Sequence, residues 1–188
     1  YELLAGPEVS NKIAWEKVHV FWSDERCVEP DDERSNYYLV RTCLLAHVPL
    51  PAANIHRMYG EIDPQQAARK SAGDIRSFFG ERACVPGSFP SFDCVLLGMG
   101  ADGHVASLFP GDESALLEEE LVIATRAPEG MPVAQRLSMS LPLLVAARDI
   151  FFVVCGRDKQ PMLDLVLAGS PAAQHYPAAR VCARSRPM

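Results

Sequence analysis

Residues 92–111, FDCVLLGMGADGHVASLFPG, contain the strongest indication of how this chain folds. The apolar run Phe92–Leu97 is typical of a strand that is covered on both faces of a sheet. A glycine-rich turn follows it directly and carries an acid and the imidazole of His104. Active-site groups of α/β proteins commonly lie just beyond the carboxyl end of a strand. The stretch therefore predicts an α/β fold with a site at this edge of the sheet.

Strand and helix patterns alternate along the rest of the chain. Further strands are expected at Val18–Trp22, Leu121–Thr125, Gln135–Ser140 and Ile150–Cys155. Helices are expected over Ser35–Leu45, Pro64–Phe79, Leu143–Arg148 and Lys159–Ala168. Ser35 is the expected N-cap of the first helix, and Gly80 and Gly169 are expected to end two of the others. Such alternation implies right-handed βαβ units, so we expect a Rossmann-like open, mostly parallel sheet flanked by helices.

Length and composition predict a single globular domain over residues 1–188, since 48% of the residues are hydrophobic and can form a full core. The longest apolar stretch, Leu137–Cys155, is interrupted by Pro142 and by the charges of Arg148 and Asp149, so no membrane span is expected. No signal peptide is visible, which makes the cytoplasm the default location. The formal charge of −6 and the scattered basic residues argue against a nucleic-acid partner. Nothing marks an oligomer interface, so a monomer is expected.

The six cysteines show neither a C-x-x-C pair nor a zinc-type spacing with histidine. A metal site is therefore not expected. Cys94 and Cys155 lie within apolar strand-like runs, which predicts buried, reduced thiols at both positions. A reducing compartment likewise favours free thiols over disulfides.

Polar residues follow three of the predicted strands, at Asp24–Arg26, at Gly98–His104 and at Gly156–Lys159. Since the carboxyl ends of parallel strands lie on one edge of a sheet, these groups are expected in a single crevice. The crevice would hold one imidazole, several carboxylates and several cations, with no hydroxyl or thiol nucleophile obviously paired with a base. This set suits the activation of water against a phosphorylated or carboxylated substrate. Taken alone, Asp24–Arg26 is equally consistent with a surface ion-pair cluster.

The glycines of the 98–103 turn also match the letters of the dinucleotide-binding motif G-x-G-x-x-G. In that motif the third glycine opens a full crossover helix, whereas Pro110 leaves room for only about two helical turns after His104. The acid at Glu118 also precedes the next strand instead of following it. A nicotinamide or flavin cofactor is therefore not expected. The remaining histidines occupy ordinary strand, helix-end or loop positions: His19, His47, His56 and His175.

Six segments, taken in order, resemble the 6-phosphogluconolactonase family. They are FWSDERCV (21–28), SN (35–36), GMGADGHVASLFPG (98–111), RLSMSLP (136–142), AAR (146–148) and GRDK (156–159). The resemblance covers nearly the whole chain and implies a fold shared with the glucosamine-6-phosphate deaminases and related to ribose-5-phosphate isomerase. It also implies hydrolysis of 6-phospho-D-glucono-1,5-lactone to 6-phosphogluconate, the second step of the oxidative pentose phosphate pathway. No metal or organic cofactor is implied.

The resemblance further implies how the reaction would be catalysed. His104 would be the general base that takes a proton from the attacking water and could return it to the departing ring oxygen. Asp24 would orient the imidazole or the water, while Arg26 would contact the substrate or stabilise developing charge. The acid that orients His104, among Asp24, Glu25 and Asp102, stays open at this point.

The same resemblance implies which residues hold the substrate. Arg136 and Lys159 would face its phosphate, with Arg157 as a weaker candidate, and backbone amides of the Gly98–Gly103 turn would help to stabilise an oxyanion. The expected substrate-binding residues are Glu25, Asn36, Gly98, Gly100, Asp102, Gly103, Ser107, Arg136, Arg157 and Lys159. Members of the family also carry a phosphate loop before the first helix and a last strand, and residues 1–188 are expected to lack both.

Two other functions stay open. Deaminases of the same superfamily carry a carboxylate five positions after the histidine, which assists ring opening, whereas this chain has Phe109 there. A catalytically silent module that binds a sugar phosphate is the second alternative. Of the three functions, lactone hydrolysis is the one expected.

Overall fold

The computed structural model describes residues 1–80, 88–112 and 120–184. Its strands are β1 (Val20–Phe21), β2 (Asp24–Arg26), β3 (Ile55–His56), β4 (Cys94–Leu97), β5 (Val122–Arg126), β6 (Gln135–Met139) and β7 (Asp149–Phe152). Its α-helices are α1 (Glu2–Ala5), α2 (Pro7–Ser10), α3 (Asn36–Cys43), α4 (Pro64–Phe79), α5 (Leu141–Val145), α6 (Gln160–Ala168) and α7 (Pro177–Arg184). Short 3-10 helices lie at Trp15–Lys17, Leu45–His47, Ala52–Asn54, Arg157–Lys159 and Pro171–His175. Glu118, which entered the dinucleotide hypothesis, lies outside the described residues, as does Cys84.

The strands form two parallel pairs and one antiparallel sheet. β1 pairs with β3 and β4 pairs with β7, both in parallel, while β6 lies between β2 and β5 with antiparallel neighbours on either side. The parallel pairs flanked by helices confirm the predicted α/β class. The antiparallel sheet was not anticipated, because Asp24–Arg26 was expected to be a loop and instead pairs residue by residue with Arg136–Ser138.

The predicted helices are confirmed with small shifts at their ends, and α4 shows why the sequence forms them. The Asp63 carboxylate caps its first turn by accepting the Gln66 amide at 3.0 Å, and Pro64 takes the first helical position. Gly80 ends the helix with φ +84°, a conformation that side chains disfavour. The buried face consists mostly of small residues, which let the helix lie close to the antiparallel sheet: Ala67, Ala68, Ser71, Ala72 and Ile75.

Strand β4 is covered on one face only, which corrects the prediction of burial on both faces. Leu97 is 2% exposed, whereas its neighbour Leu96 is 52% exposed. The expected burial of Cys94 and Cys155 is wrong for the same reason, since both free thiols are exposed on this part of the sheet. Among the described residues no helix has both the length and the apolar character needed to cross a bilayer.

Candidate active site

A buried carboxylate joins strand β2 to the first turn of helix α3. Glu25 is only 2% exposed, and its two oxygens accept the backbone amides of Arg26, Asn36 and Tyr37, each at 2.7 Å. The Ser35 hydroxyl donates a fourth hydrogen bond to it at 3.0 Å. Burial raises the pKa of Glu25, and these hydrogen bonds oppose that rise. The carboxylate thus fixes β2 against the helix N-terminus.

Asp24, the neighbour of Glu25 on β2, faces the other way and meets two further segments. Asn36 donates its side-chain amide to the Asp24 carbonyl at 2.9 Å and to the carboxylate at 3.1 Å. The hydroxyl of Ser107, which belongs to the stretch after β4, donates to the other carboxylate oxygen at 2.7 Å. Asp24 therefore ties the β2–α3 corner to the segment that carries His104.

Ser107 is itself held rigidly between two strands. Its amide donates to the Ser138 hydroxyl on β6 at 3.2 Å, and its carbonyl accepts the Thr125 hydroxyl on β5 at 2.8 Å. The preceding residue, Ala106, has φ +48°, a left-handed conformation that a non-glycine residue adopts only when its surroundings require it. This turn presents the Ser107 hydroxyl to Asp24.

The turn after β4 holds His104 against Asp102. The imidazole Nδ1 lies 2.6 Å from the Asp102 carboxylate, which also accepts the His104 backbone amide at 3.2 Å. Burial alone would raise the pKa of Asp102, but the bonds from His104 outweigh it and the pKa lies below its ordinary value. An ionised Asp102 keeps the proton on Nδ1 and leaves Nε2 as the acceptor. Of the three acids left open, Asp102 is the one whose carboxylate contacts the His104 imidazole within the described residues.

Glycine is required at two positions of this turn. A Cβ on Gly100 would overlap the His104 Nδ1 and Asp102 Oδ1 atoms, so the hydrogen-bonded His104 and Asp102 side chains fold back over bare backbone. Gly103 has φ +82°, and a Cβ there would lie 2.8 Å from the Tyr176 ring and 3.0 Å from the Met162 sulfur. The amides of Gly100 and Gly103 are bonded within the turn, to the carbonyls of His104 and Gly100 at 3.0 Å each. These two amides are therefore not aimed at an oxyanion. The oxyanion role expected of the Gly98–Gly103 turn does not extend to them.

Two guanidinium groups lie side by side where β2 pairs with β6. Arg26 and Arg136 are register partners, and the Arg136 side chain donates to the carbonyls of Pro132 and Val133 at 2.7 and 2.8 Å. Burial lowers the pKa of Arg136, and the neighbouring positive charge of Arg26 lowers it further. Val133 has φ +57°, an outlier for a β-branched residue, and this conformation turns its carbonyl toward Arg136.

Arg26 is only partly satisfied within the described residues. Its Nη1 atom donates to the Arg34 carbonyl at 2.6 Å, while its buried Nε atom has no hydrogen-bond partner there. Two adjacent like charges and a buried donor of this kind favour an anion at this place. The cationic pair thus adjoins the carboxylates of β2 in one polar site.

The remaining sequence-predicted residues are placed as follows. Lys159 is half-buried just before α6, whose Met162 contacts the Gly103 turn, whereas Arg157 is exposed. Gly98 has open space around it. Glu25, expected to bind substrate, is buried, and both of its oxygens are bonded to groups of β2 and the start of α3, so within the described residues it holds these segments together.

Sequence reasoning missed several residues of the site. Ser138 and Thr125 support Ser107, and the sequence indicated this only by a serine between the apolar residues Leu137 and Met139, which the structure shows to be fully buried. Tyr176, which directly follows the 3-10 helix Pro171–His175, packs against Gly103, and no pattern in the sequence near Gly103 predicted this contact. Among the described residues there is no cluster of three histidine, cysteine or acidic side chains that could hold a metal ion.

Comparison with known proteins places this site in a family. A family model described as Glucosamine-6-phosphate isomerases/6-phosphogluconolactonase matches residues 1–187. The chain belongs to this family. A 6-phosphogluconolactonase of Synechocystis sp. is 41% identical over 179 residues, which cover 95% of this chain and 70% of the relative.

Solved structures of the same family agree with the fold. A crystal structure of the devB protein has a TM-score of 0.85 and 38% identity, covering 96% of this chain and 73% of that one. The 6-phosphogluconolactonase of Thermotoga maritima has a TM-score of 0.77 and 29% identity, covering 92% of this chain and 72% of that one. These likenesses confirm the family resemblance carried by the six sequence segments.

Proposed function

We propose that this member of the 6-phosphogluconolactonase family hydrolyses 6-phospho-D-glucono-1,5-lactone to 6-phosphogluconate, with His104 as the general base. The matching relatives support the reaction, since the Synechocystis enzyme shares 41% identity over nearly the whole chain. The observation that carries the mechanism is the 2.6 Å contact between the His104 Nδ1 atom and the Asp102 carboxylate. It sets the imidazole in the tautomer that a base needs.

In the first step, the Nε2 atom of His104 accepts a proton while the water oxygen attacks the lactone carbonyl carbon. The resulting imidazolium is stabilised by the ionised Asp102 at its other nitrogen. The tetrahedral intermediate then collapses, the bond from carbon to the ring oxygen breaks, and His104 returns the proton to that oxygen. The product is an open-chain acid and the histidine is again neutral.

The cations supply the charge that the substrate and the oxyanion require. Arg26, with its buried unbonded Nε atom, stabilises the negative charge that develops on the carbonyl oxygen. Arg136 and Lys159 bind the phosphate, with Arg157 in an outer position. Asp24, held by Asn36 and Ser107, accepts a substrate hydroxyl or orients the water.

The decisive experiment compares two substrates. Loss of the lactone, corrected for its spontaneous hydrolysis, is followed beside deamination of glucosamine 6-phosphate. Lactonase activity without deaminase activity is expected, because Phe109 occupies the place of the ring-opening carboxylate. A deaminase would reverse this result, and a silent binding module would show neither activity.

The role of His104 is tested by the His104→Ala variant. Removing a general base is expected to lower the turnover number by about 10²–10⁴. An unchanged turnover number in a variant with a native circular dichroism spectrum would remove His104 from the mechanism.

The role of Lys159 is tested by Lys159→Ala. A point cation on the phosphate binds the ground state and the transition state alike, so KM is expected to rise with little change in kcat. A non-phosphorylated lactone serves as the control substrate and should be hydrolysed equally by both proteins. An equal loss on both substrates would contradict the assignment.

The proposal includes a monomeric enzyme in the cytoplasm that acts without a metal or organic cofactor. The lactonase assay in the presence of a chelator tests whether a metal is needed. The molar mass measured by light scattering tests whether the enzyme is a monomer.

A further inference from the structure

A tight turn brings the side chains of His104 and Phe109 together. Between them the Leu108 amide donates to the Val105 carbonyl at 2.9 Å, and these two residues form a short antiparallel bridge. The side chains of Val105 and Leu108 are fully buried, which anchors the turn in the core. The chain therefore folds back on itself, and the two residues that flank the turn lie side by side.

The ring of Phe109 packs directly against the His104 imidazole. The ring centroids lie 5.0 Å apart, and the two planes are inclined by 48°. Centroid separations of about 4.5–7 Å are those of aromatic rings in contact. Phe109 is only 4% exposed, and a ring this buried has little freedom to reorient because protein interiors are close-packed. The imidazole therefore rests on a firm apolar surface.

The contact with Asp102 does not by itself fix the imidazole. The side chains of His104 and Asp102 are 26% and 39% exposed, and pairs that water reaches contribute little stability. The contact also restrains only the Nδ1 atom of the ring. Rotation about the bond from Cβ to the ring has broad torsional preferences, so the ring plane needs a second restraint. Phe109 is the aromatic side chain that supplies one.

We propose that Phe109 is a positioning residue, whose ring holds the plane of the His104 imidazole so that Nδ1 stays on Asp102 and Nε2 stays aimed at the attacking water. This inference rests on the proposed function, in which His104 is the general base. Phe109 acts through His104 and needs no contact with the substrate. Because the rate depends on the geometry of the reacting atoms, a loosened base lowers turnover even when the substrate binds normally.

Steady-state kinetics of a matched pair of variants test the role of the ring. Phe109→Leu keeps an apolar side chain and loses the flat ring, so kcat is expected to fall by about 10–10² with little change in KM. Phe92→Leu is the control, since Phe92 is 8% exposed and packs against the rings of Phe21 and Phe79. It is expected to leave kcat unchanged. Phe109→Met, which is closer to phenylalanine in volume, takes the place of Phe109→Leu if circular dichroism shows that the leucine variant does not fold.

The nitrogen NMR signals of the imidazole give a readout that does not depend on substrate. In isotopically labelled protein the His104 signals are identified by their loss in His104→Ala. Above about pH 8, where an ordinary imidazole is neutral, these signals report which ring nitrogen carries the proton. The wild type is expected to show the proton on Nδ1. Phe109→Leu is expected to move both signals toward the average of the two tautomers, and Phe92→Leu is expected to leave them in place.

Three results would overturn the proposal. The first is an unchanged kcat in a folded Phe109 variant. The second is a loss of kcat while the His104 ring signals stay in place, and the third is a raised KM at constant kcat, which would assign Phe109 to substrate binding. If the wild type hydrolyses no lactone, the proposed function fails, whereas the ring signals still decide whether Phe109 orients His104.

Discussion

The antiparallel sheet β2–β6–β5 and the parallel pair β4–β7 differ in how their residues are buried. In the first, Leu137, Ser138 and Met139 are at most 3% exposed in succession, and the buried Ser138 hydroxyl accepts the Ser107 amide. In the second, exposed and buried residues alternate along β4, and apolar side chains face outward. The difference teaches that the polar groups of the site lie on the sheet whose residues are buried in succession, whereas the parallel pair leaves apolar surface exposed.

The largest expected effect comes from removing the buried Glu25 carboxylate, which fixes β2 of the antiparallel sheet against helix α3. Glu25→Ala leaves three amides and one hydroxyl without their acceptor, and each unsatisfied buried donor costs about 1–3 kcal/mol. We expect the free energy of unfolding to fall by about 3–5 kcal/mol, measured by chemical denaturation. Glu29→Ala, at an exposed acid nearby, is the control and should cost less than about 0.5 kcal/mol. Equal costs for the two variants would contradict the role of Glu25.

Truncating the two adjacent leucines of β4 sharpens the contrast within a single strand. Leu97→Ala creates a cavity in the core and is expected to cost about 2–5 kcal/mol. Leu96→Ala, on the exposed face, is expected to cost less than about 1 kcal/mol in the chain alone. If both variants lose the same stability in denaturation experiments, the outward face is covered and the comparison fails.

Inside the site, Gly100 tests whether activity depends on the contact between His104 and Asp102. Gly100→Ala forces the His104 imidazole away from Asp102, so we expect kcat to fall by about 10–10² with a smaller change in KM. Gly73→Ala, in helix α4, is the control, because a Cβ there also meets nothing within 4 Å. Similar kinetics for both variants would show that the His104–Asp102 contact does not depend on the bare backbone at Gly100.

The smallest expected effect is a pH dependence of the free energy of unfolding, caused by His56 in the parallel pair β1–β3. The His19 Nδ1 and His56 Nε2 atoms lie 3.0 Å apart, and burial, together with the charge of His19, lowers the pKa of His56 although Asp74 opposes this. Below about pH 6.5 the unfolded chain takes up a proton that folded His56 resists. The free energy of unfolding should therefore be fully retained above that pH and decrease as the pH falls toward the folded pKa.

Denaturation curves between about pH 7.5 and 5.5 measure this slope. His56→Gln removes the titrating group, so its slope should be shallower than that of the wild type. Identical slopes would mean that His56 titrates alike in both states.

Local patterns in the sequence predicted the parts of the fold that local physics decides. Ser35 caps α3 as expected, α4 begins at Pro64 and is ended by Gly80 as expected, and the apolar run before Gly98 forms a strand. Burial could not be predicted in this way, because an apolar run looks the same whether one face or both are covered. Exposed Leu96 and Cys94 follow from what lies across the sheet.

Part of the site could likewise be predicted from the sequence, and part required the fold. The glycines, Asp102 and His104 lie within one short stretch, so their proximity follows from the sequence. The choice of Asp102 over Asp24 required the fold, since it rests on the 2.6 Å contact between Asp102 and His104, while Asn36 and Ser107 occupy the Asp24 carboxylate. The structural role of Glu25 was hidden because its partners lie up to 12 residues away on α3.

An apolar cleft lined by β1 and β4 bears on how this chain behaves at high concentration. Within the described residues both strands leave an edge unpaired beside exposed Leu96, Phe151 and Val153. Open edges flanked by apolar side chains are templates for intermolecular cross-β pairing. The chain is therefore expected to aggregate through this face as its concentration rises.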